Sequence, residues 1–261
     1  MDFTLTSLEK LLNALKFRDY HFLTFNSQRI HSRIFEKVVT RIVLLRHDVD
    51  LRPENSLATA KLEYSLGIKG TYYFRIIPQT LNADIIKEIA GLGHEIGYHY
   101  EDMDLVHSDN LDKHIDLAFE SFEKNLDILR KIVPIDTICM HGSPRAKYDN
   151  KIIWTKYNYR DLGIIGEPYF DLDFNEFLYL TDTGRRWNGD KVSVRDKVNS
   201  KYKFDLKTTH DVINAIPQFP DKIMITIHPQ RWDGRFVPWL QELVLQNVKN
   251  VVKWGLVKVK K

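Results

Sequence analysis

Short apolar runs of strand type alternate with amphipathic helical stretches along most of this chain. That alternation is the signature of parallel strands joined by crossover helices. The strand-type runs are His21 to Phe25, Ile42 to Leu45, Gly70 to Phe74, Glu95 to His99, Thr137 to Met140, Ile164-Ile165, Phe177 to Leu180 and Lys222 to Ile227. Thr6-Ser-Leu-Glu9 reads as a capping box opening a helix with Leu8, Leu11, Leu12 and Leu15 on one face. Pro53 suits the first turn of a helix that stops at Gly67, and Asn82 caps one that reaches Leu92. A long helix is predicted from Asp109 to Ile132, ended by Val133-Pro134, with shorter ones over Asp211 to Ile216 and Pro238 to Trp254. Lys147 to Tyr202 alternates weakly and is expected to be rich in loops. No repeat, low-complexity tract or linker interrupts the pattern, so residues 1–261 are expected to form one α/β domain, a distorted (β/α) barrel of about seven parallel strands.

The bulk numbers exclude several classes. Hydrophobic residues at 43% and charged residues at 28% describe an ordinary globular protein. The net charge is only +3 and no basic block dominates, so no nucleic-acid partner is expected. Lys258, Lys260 and Lys261 read as a solvated tail. Cys139 is the single cysteine, within the apolar run Thr137-Ile-Cys-Met, and reads as a buried small hydrophobe rather than a nucleophile. The first residues lack the basic and apolar regions of a signal peptide, and no run of about 18 uncharged apolar residues exists. No membrane span is expected, and the expected location is cytoplasmic.

The strand ends carry the chemistry. Arg41-Ile-Val-Leu-Leu-Arg-His-Asp-Val-Asp50 ends in two carboxylates that strand periodicity sends to the same side. Such a pair repels unless a cation or a shared proton relieves it, although a solvated turn also uses Asp. Other runs end in His99-Tyr-Glu101, His141-Gly-Ser-Pro144, Asp182-Thr-Gly-Arg-Arg186 and His228-Pro-Gln-Arg-Trp232. In a parallel barrel all of these converge on one rim.

These motifs resemble those of the polysaccharide deacetylases of the NodB-homology, carbohydrate-esterase type. Asp48-Val-Asp50 is similar to that family's first motif, Gly93-His-Glu-Ile-Gly-Tyr-His99 to its second and Ile225-Thr-Ile-His228 to its last, in matching order over about residues 40–230. The resemblance implies a NodB-type barrel and metal-dependent hydrolysis of an N-acyl group, most simply acetyl, from a sugar. The substrate would be an N-acetylated sugar, oligosaccharide or nucleotide sugar, in the building of a surface polysaccharide. It implies Asp48 as general base, Asp50 and His99 as ligands of a divalent metal, with zinc suited to mixed N/O donors, and His228 as general acid.

The pattern departs from the family in two places. Met103 stands where a second ligand histidine is expected, and thioether sulfur suits zinc poorly. His141 is the first choice for the third ligand and Glu101 the second. The family's arginine-containing third motif is absent from its usual place, where His141-Gly-Ser-Pro144 stands. Glu101, Asp182, Arg185, Trp187, Arg231 and Trp232 are the candidate substrate-binding residues. Arg185, Arg186 and Arg231 suit a carboxylate or phosphate, and Trp187 and Trp232 either stack on sugar or pack in the core. His47 and His94 alternate away from the site and read as structural. His21, His31, His107, His114 and His210 sit in no motif. Two other readings stay open: a metal-dependent amidase acting on a non-sugar C–N bond such as a ureide, and a carbohydrate-binding barrel without catalysis, which Met103 favours.

Overall fold

The computed structural model describes residues 1–28, 40–143, 146–188 and 198–259, with side chains of the last helix up to residue 248. His31, Pro144, Lys260 and Lys261 lie outside the described residues, as does the side chain of Lys258.

Seven strands form one sheet: β1 (His21–Leu23), β2 (Ile42–Val49), β3 (Thr71–Phe74), β4 (Glu95–Tyr100), β5 (Ile138–Met140), β6 (Leu178–Thr181) and β7 (Lys222–Ile227). The order is β5-β4-β3-β2-β7-β6, with β1 beside the start of β2, and every pairing is parallel. No pairing joins β5 to β6 among the described residues, so the (β/α) barrel is distorted and open there. Ile164-Ile165 does not form the expected strand; only an isolated bridge between Thr137 and Gly166 pairs in that region. The main helices are α1 (Leu5–Phe17), α2 (Pro53–Ser65), α3 (Ala83–Gly91), the short α4 (Asp102–Leu105), α5 (Leu111–Arg130), the short α6 (Pro168–Asp171), α7 (Thr209–Ala215) and α8 (Phe236–Val259).

β2 is buried along its whole length and runs four residues beyond the expected Leu45, which takes Asp48 into the ladder. Burial on both faces explains its nearly continuous apolar sequence. Val43 and Leu45 face one core with α1 and α7, while Ile42 and Leu44 face the barrel interior with Phe25, Phe174 and Met224. Period two then sends Arg46, Asp48 and Asp50 inward and His47 outward. The α1 face of Leu8, Leu11, Leu12 and Leu15 is fully buried, at about 1.5–3 kcal/mol per side chain. Its capping box lies two residues before the expected one: Thr4 Oγ1 accepts from Ser7 N, and Ser7 Oγ accepts from Thr4 N. Gly97 is required where β4 passes the ring of Tyr73, because a Cβ there would meet the ring at 2.4 Å.

The outward histidines are structural. His47 Nε2 lies 2.7 Å from Glu63 Oε1, and its ring stacks on Tyr72 at 3.9 Å. His94 Nδ1 accepts from Gly70 N, so its Nε2–H donates to the carbonyl of Ala60. His114 is buried with both nitrogens against backbone, whereas His21, His107 and His210 are exposed.

Candidate active site and metal centre

Asp48, Asp50, His99, His141 and His228 meet at the C-terminal ends of β2, β4, β5 and β7. Asp50 stands at the centre. Its Oδ1 is 3.6 Å from His99 Nε2 and 3.5 Å from His141 Nε2, and its Oδ2 is 3.9 Å from His228 Nε2. Asp48 Oδ2 is 3.7 Å from His99 Nε2 and 4.0 Å from His228 Nε2.

Each histidine is aimed by what its other nitrogen touches. His99 Nδ1 lies 2.9 Å from the carbonyl of Cys139, which can only accept. The proton is therefore on Nδ1, and Nε2 presents a lone pair to Asp50. Burial lowers the His99 pKa to about 4, with His141 and Arg46 adding to it and Asp48 and Asp50 opposing. His141 is anchored by His141 N donating to Tyr100 O and by Asn150 Nδ2 donating to its carbonyl. Its Nδ1 lies 3.2 Å from Glu101 Oε2, short of a well-aligned hydrogen bond. Burial alone would lower the His141 pKa; Asp50 and Glu101 outweigh it and raise the value.

Glu101 does not face the site as a free ligand. Arg75 Nε and Nη2 donate to its two oxygens at 2.8 and 2.6 Å. Burial would raise its carboxyl, but His141 and Arg75 hold it at about 2. Arg75 follows β3 directly and also lies 3.4 Å from the carbonyl of Asp50. It stands at a strand end, and a sequence search centred on His and Asp passed over it.

Arg46 is the second residue the sequence reading missed. Its Nε and Nη2 donate to Asp48 Oδ1 and Oδ2, both at 2.7 Å, in a fully buried fork. Its guanidinium lies 5.0 Å over the ring of Tyr169. Burial disfavours the Arg46 charge, yet Asp48 more than compensates and raises its pKa. The signal was present, because Arg46, Asp48 and Asp50 share one alternation.

Asp182, at the end of β6, holds the His228 loop rather than opening onto a ligand. Its Oδ1 lies 2.6 Å from His228 Nδ1 and accepts from Arg231 Nη1 at 2.6 Å. Its Oδ2 accepts from Trp232 Nε1 at 2.7 Å and from His228 N at 3.0 Å. Burial would raise the Asp182 carboxyl, but Arg231 and His228 keep it at about 2. Of the expected substrate contacts, Arg231 is committed to Asp182. Arg185 donates to the carbonyl of Trp239 and lies 4.8 Å from that ring's centroid. Trp187 and Trp232 pack against Phe3 in the core, so neither offers a face to a sugar. Core packing, the other reading of these two tryptophans, is where the structure puts them.

Among the described residues, two groups of three side chains bring possible ligand atoms within 4.8 Å of one another: Asp48, His99 and Cys139, and Glu101, Asp104 and His141. In the first, Arg46 already engages both oxygens of Asp48, and Cys139 is a fully buried thiol 3.9 Å from Met140 O. In the second, Arg75 engages both oxygens of Glu101. Asp50 Oδ1, by contrast, is buried and accepts no hydrogen bond. Burial would raise the Asp50 carboxyl; His141, His228, His99 and Arg75 outweigh it and hold the group well below the usual carboxylate range. Ligand atoms on a tetrahedral zinc stand about 3.4 Å apart, given bonds of about 2.0–2.2 Å. The 3.5 and 3.6 Å spacings of Asp50 Oδ1 from His141 Nε2 and His99 Nε2 are close to two of the three spacings such a site needs. The Met103 side chain is buried in the core beside β4, and its N–H donates to Asn150 Oδ1.

No family model matches the chain, and no curated protein matches it. Solved structures do. The Streptococcus pyogenes deacetylase PplD in complex with acetate superposes with a TM-score of 0.49 and 14% identity, over 93% of this chain and 85% of that one. The Xyl-CE4 domain of a multidomain xylanase from the hindgut metagenome of Trinervitermes trinervoides gives 0.39 and 15%, over 81% and 84%. A mutant of a CE4 family pseudoenzyme from Bacillus anthracis gives 0.38 and 12%, over 82% and 66%. These are likenesses to solved structures, and the chemistry rests on this chain's own residues.

Proposed function

We propose that this protein is a metal-dependent hydrolase that removes an N-acyl group, most simply acetyl, from a sugar. The observation that carries the reading is Asp50 Oδ1, a buried oxygen without a hydrogen-bond partner, set between the Nε2 atoms of His99 and His141. Those three residues would hold a divalent cation, and zinc suits one carboxylate and two imidazoles. The cation supplies Lewis acidity, polarising an acyl carbonyl and making water a better nucleophile at neutral pH.

The remaining roles belong to the chain. Asp48 is the general base. The Arg46 fork fixes its carboxylate, and each oxygen retains a further lone pair for a water proton. His228 is the general acid. Asp182 holds its Nδ1, which leaves Nε2 facing the two aspartates and able to give a proton to the leaving amine. Arg231 and Trp232 support Asp182 in turn. The sugar as substrate rests on the motif resemblance: N-acetylated sugars, oligosaccharides or nucleotide sugars.

Three variants separate the roles. Asp48→Asn is expected to keep its metal and lose about 10²–10⁴-fold in rate. Asp50→Ala is expected to lose metal and activity together, and His228→Ala to slow turnover with metal content unchanged. Metal per chain and acetate released from N-acetylated sugars are the measurements. Full metal content in Asp50→Ala would overturn the ligand assignment.

A further inference from the structure

Helix α8 packs inside out. A helix on a globular body normally turns its apolar stripe inward and its polar face to water. Here Glu242 and Gln246, four residues apart, are buried against the body. Leu240, Val244 and Val248, at the same spacing, are 41, 55 and 59% exposed, and Phe236, Val237 and Leu245 widen the stripe. The attachment of the helix explains the orientation. Trp239 Nε1 donates to the carbonyl of Asp2, and Trp239 O accepts from Arg185, which fixes the polar side toward the barrel.

The sequence around and beyond the stripe is basic. Residues 243–261 contain five lysines, at 249, 253, 258, 260 and 261, and no acidic residue. The helix itself runs to Val259. At 24 residues the helix is about 36 Å long, yet no helix of the described residues is long and apolar enough to cross a membrane. A lysine-bearing helix with an exposed apolar face suits the plane of a bilayer interface. A second copy of the chain would bring two such lysine-rich helices together, which like charges oppose. Anionic headgroups would neutralise them.

We propose that α8 is an interfacial helix that seats this protein on an anionic lipid surface. The helix starts a few residues after His228, so the surface it covers adjoins the rim that carries the site.

Co-sedimentation with extruded vesicles tests this. The full chain is mixed with vesicles of equal parts phosphatidylglycerol and phosphatidylcholine, or of phosphatidylcholine alone. Wild type is expected to bind the anionic vesicles at least tenfold more tightly, and less tightly as salt rises. Val244→Asp combined with Val248→Asp, at exposed positions, is expected to keep the circular dichroism spectrum of wild type and to lose at least tenfold in vesicle affinity. Wild type left in the supernatant with both vesicle types would overturn the proposal, as would equal binding to both. A wild-type dimer that the double variant converts to monomer, without vesicle binding, would show that a second copy covers the face instead.

Discussion

Arg46→Met removes one half of a buried ion pair and leaves the other in place. Asp48 is 3% exposed, and both its oxygens take their short hydrogen bonds from Arg46. Breaking a buried pair by deleting one partner costs about 3–5 kcal/mol, because the remaining charge keeps its desolvation penalty without its attraction. For a chain of this size each kcal/mol moves the midpoint by about 2–4 °C, so Tm should fall by about 6–20 °C. Adding Asp48→Asn removes the orphaned charge and should recover most of the loss. Thermal unfolding followed by circular dichroism, in the presence of a chelator, reads the pair without the stabilisation that bound metal adds. If Arg46→Met shifted Tm by less than about 2 °C, or the double variant were no more stable than the single, Arg46 would not be the partner that makes a buried Asp48 tolerable.

Other expectations follow from the same contacts. Glu101→Gln weakens its grip on Arg75 and changes what faces His141 Nδ1; carboxylates behind a ligand histidine are worth about 10–100-fold in metal affinity, read by competition with a chromophoric chelator. Trp232→Phe deletes the indole donor to Asp182 Oδ2, leaves His228 N as that oxygen's remaining donor, and should cost about 1.5–3 kcal/mol in urea unfolding, the worth of a hydrogen bond to a charged group. Burial raises the Glu167 carboxyl to about 7, against the pull of Met140 N, Arg46 and Tyr169 N. A folded-state pKa above the unfolded one gives stability that is complete below about 4.5 and lost as pH rises toward 7. Glu167→Gln should therefore flatten the stability profile between pH 5 and 7, and an unchanged slope would refute that assignment.

Much of the site was legible because strand ends announce themselves. β2, β4, β5 and β7 are short apolar runs, and Asp48, Asp50, His99, His141 and His228 stand where those runs stop. Roles that depend on side-chain direction were harder to read. Arg46 lies within an apolar run, and only the folded strand shows its guanidinium running along to Asp48. Trp187 and Trp232 follow strand-end motifs, yet their surroundings include Phe3, far away in sequence, which no local pattern reports. The α1 cap was misplaced because Thr4 pairs with Ser7, and a capping-box template looks for Glu or Gln at that position. Ile164-Ile165 carries strand propensity, but beside β5 it makes only a single bridge, Thr137 to Gly166, one residue further on. The inverted packing of α8 was equally invisible, since the apolar spacing of a helix does not say which way it turns.

On the proposed reading, this barrel hydrolyses an N-acyl bond with a metal held by Asp50, His99 and His141. Acetate release from N-acetylated sugars and nucleotide sugars, by protein stripped with a chelator and then reloaded with a single divalent metal, tests it most directly. The account predicts acetate from the reloaded protein and none from the stripped one. Sugar bound without acetate release under any divalent metal would contradict it and leave a carbohydrate-binding barrel in its place.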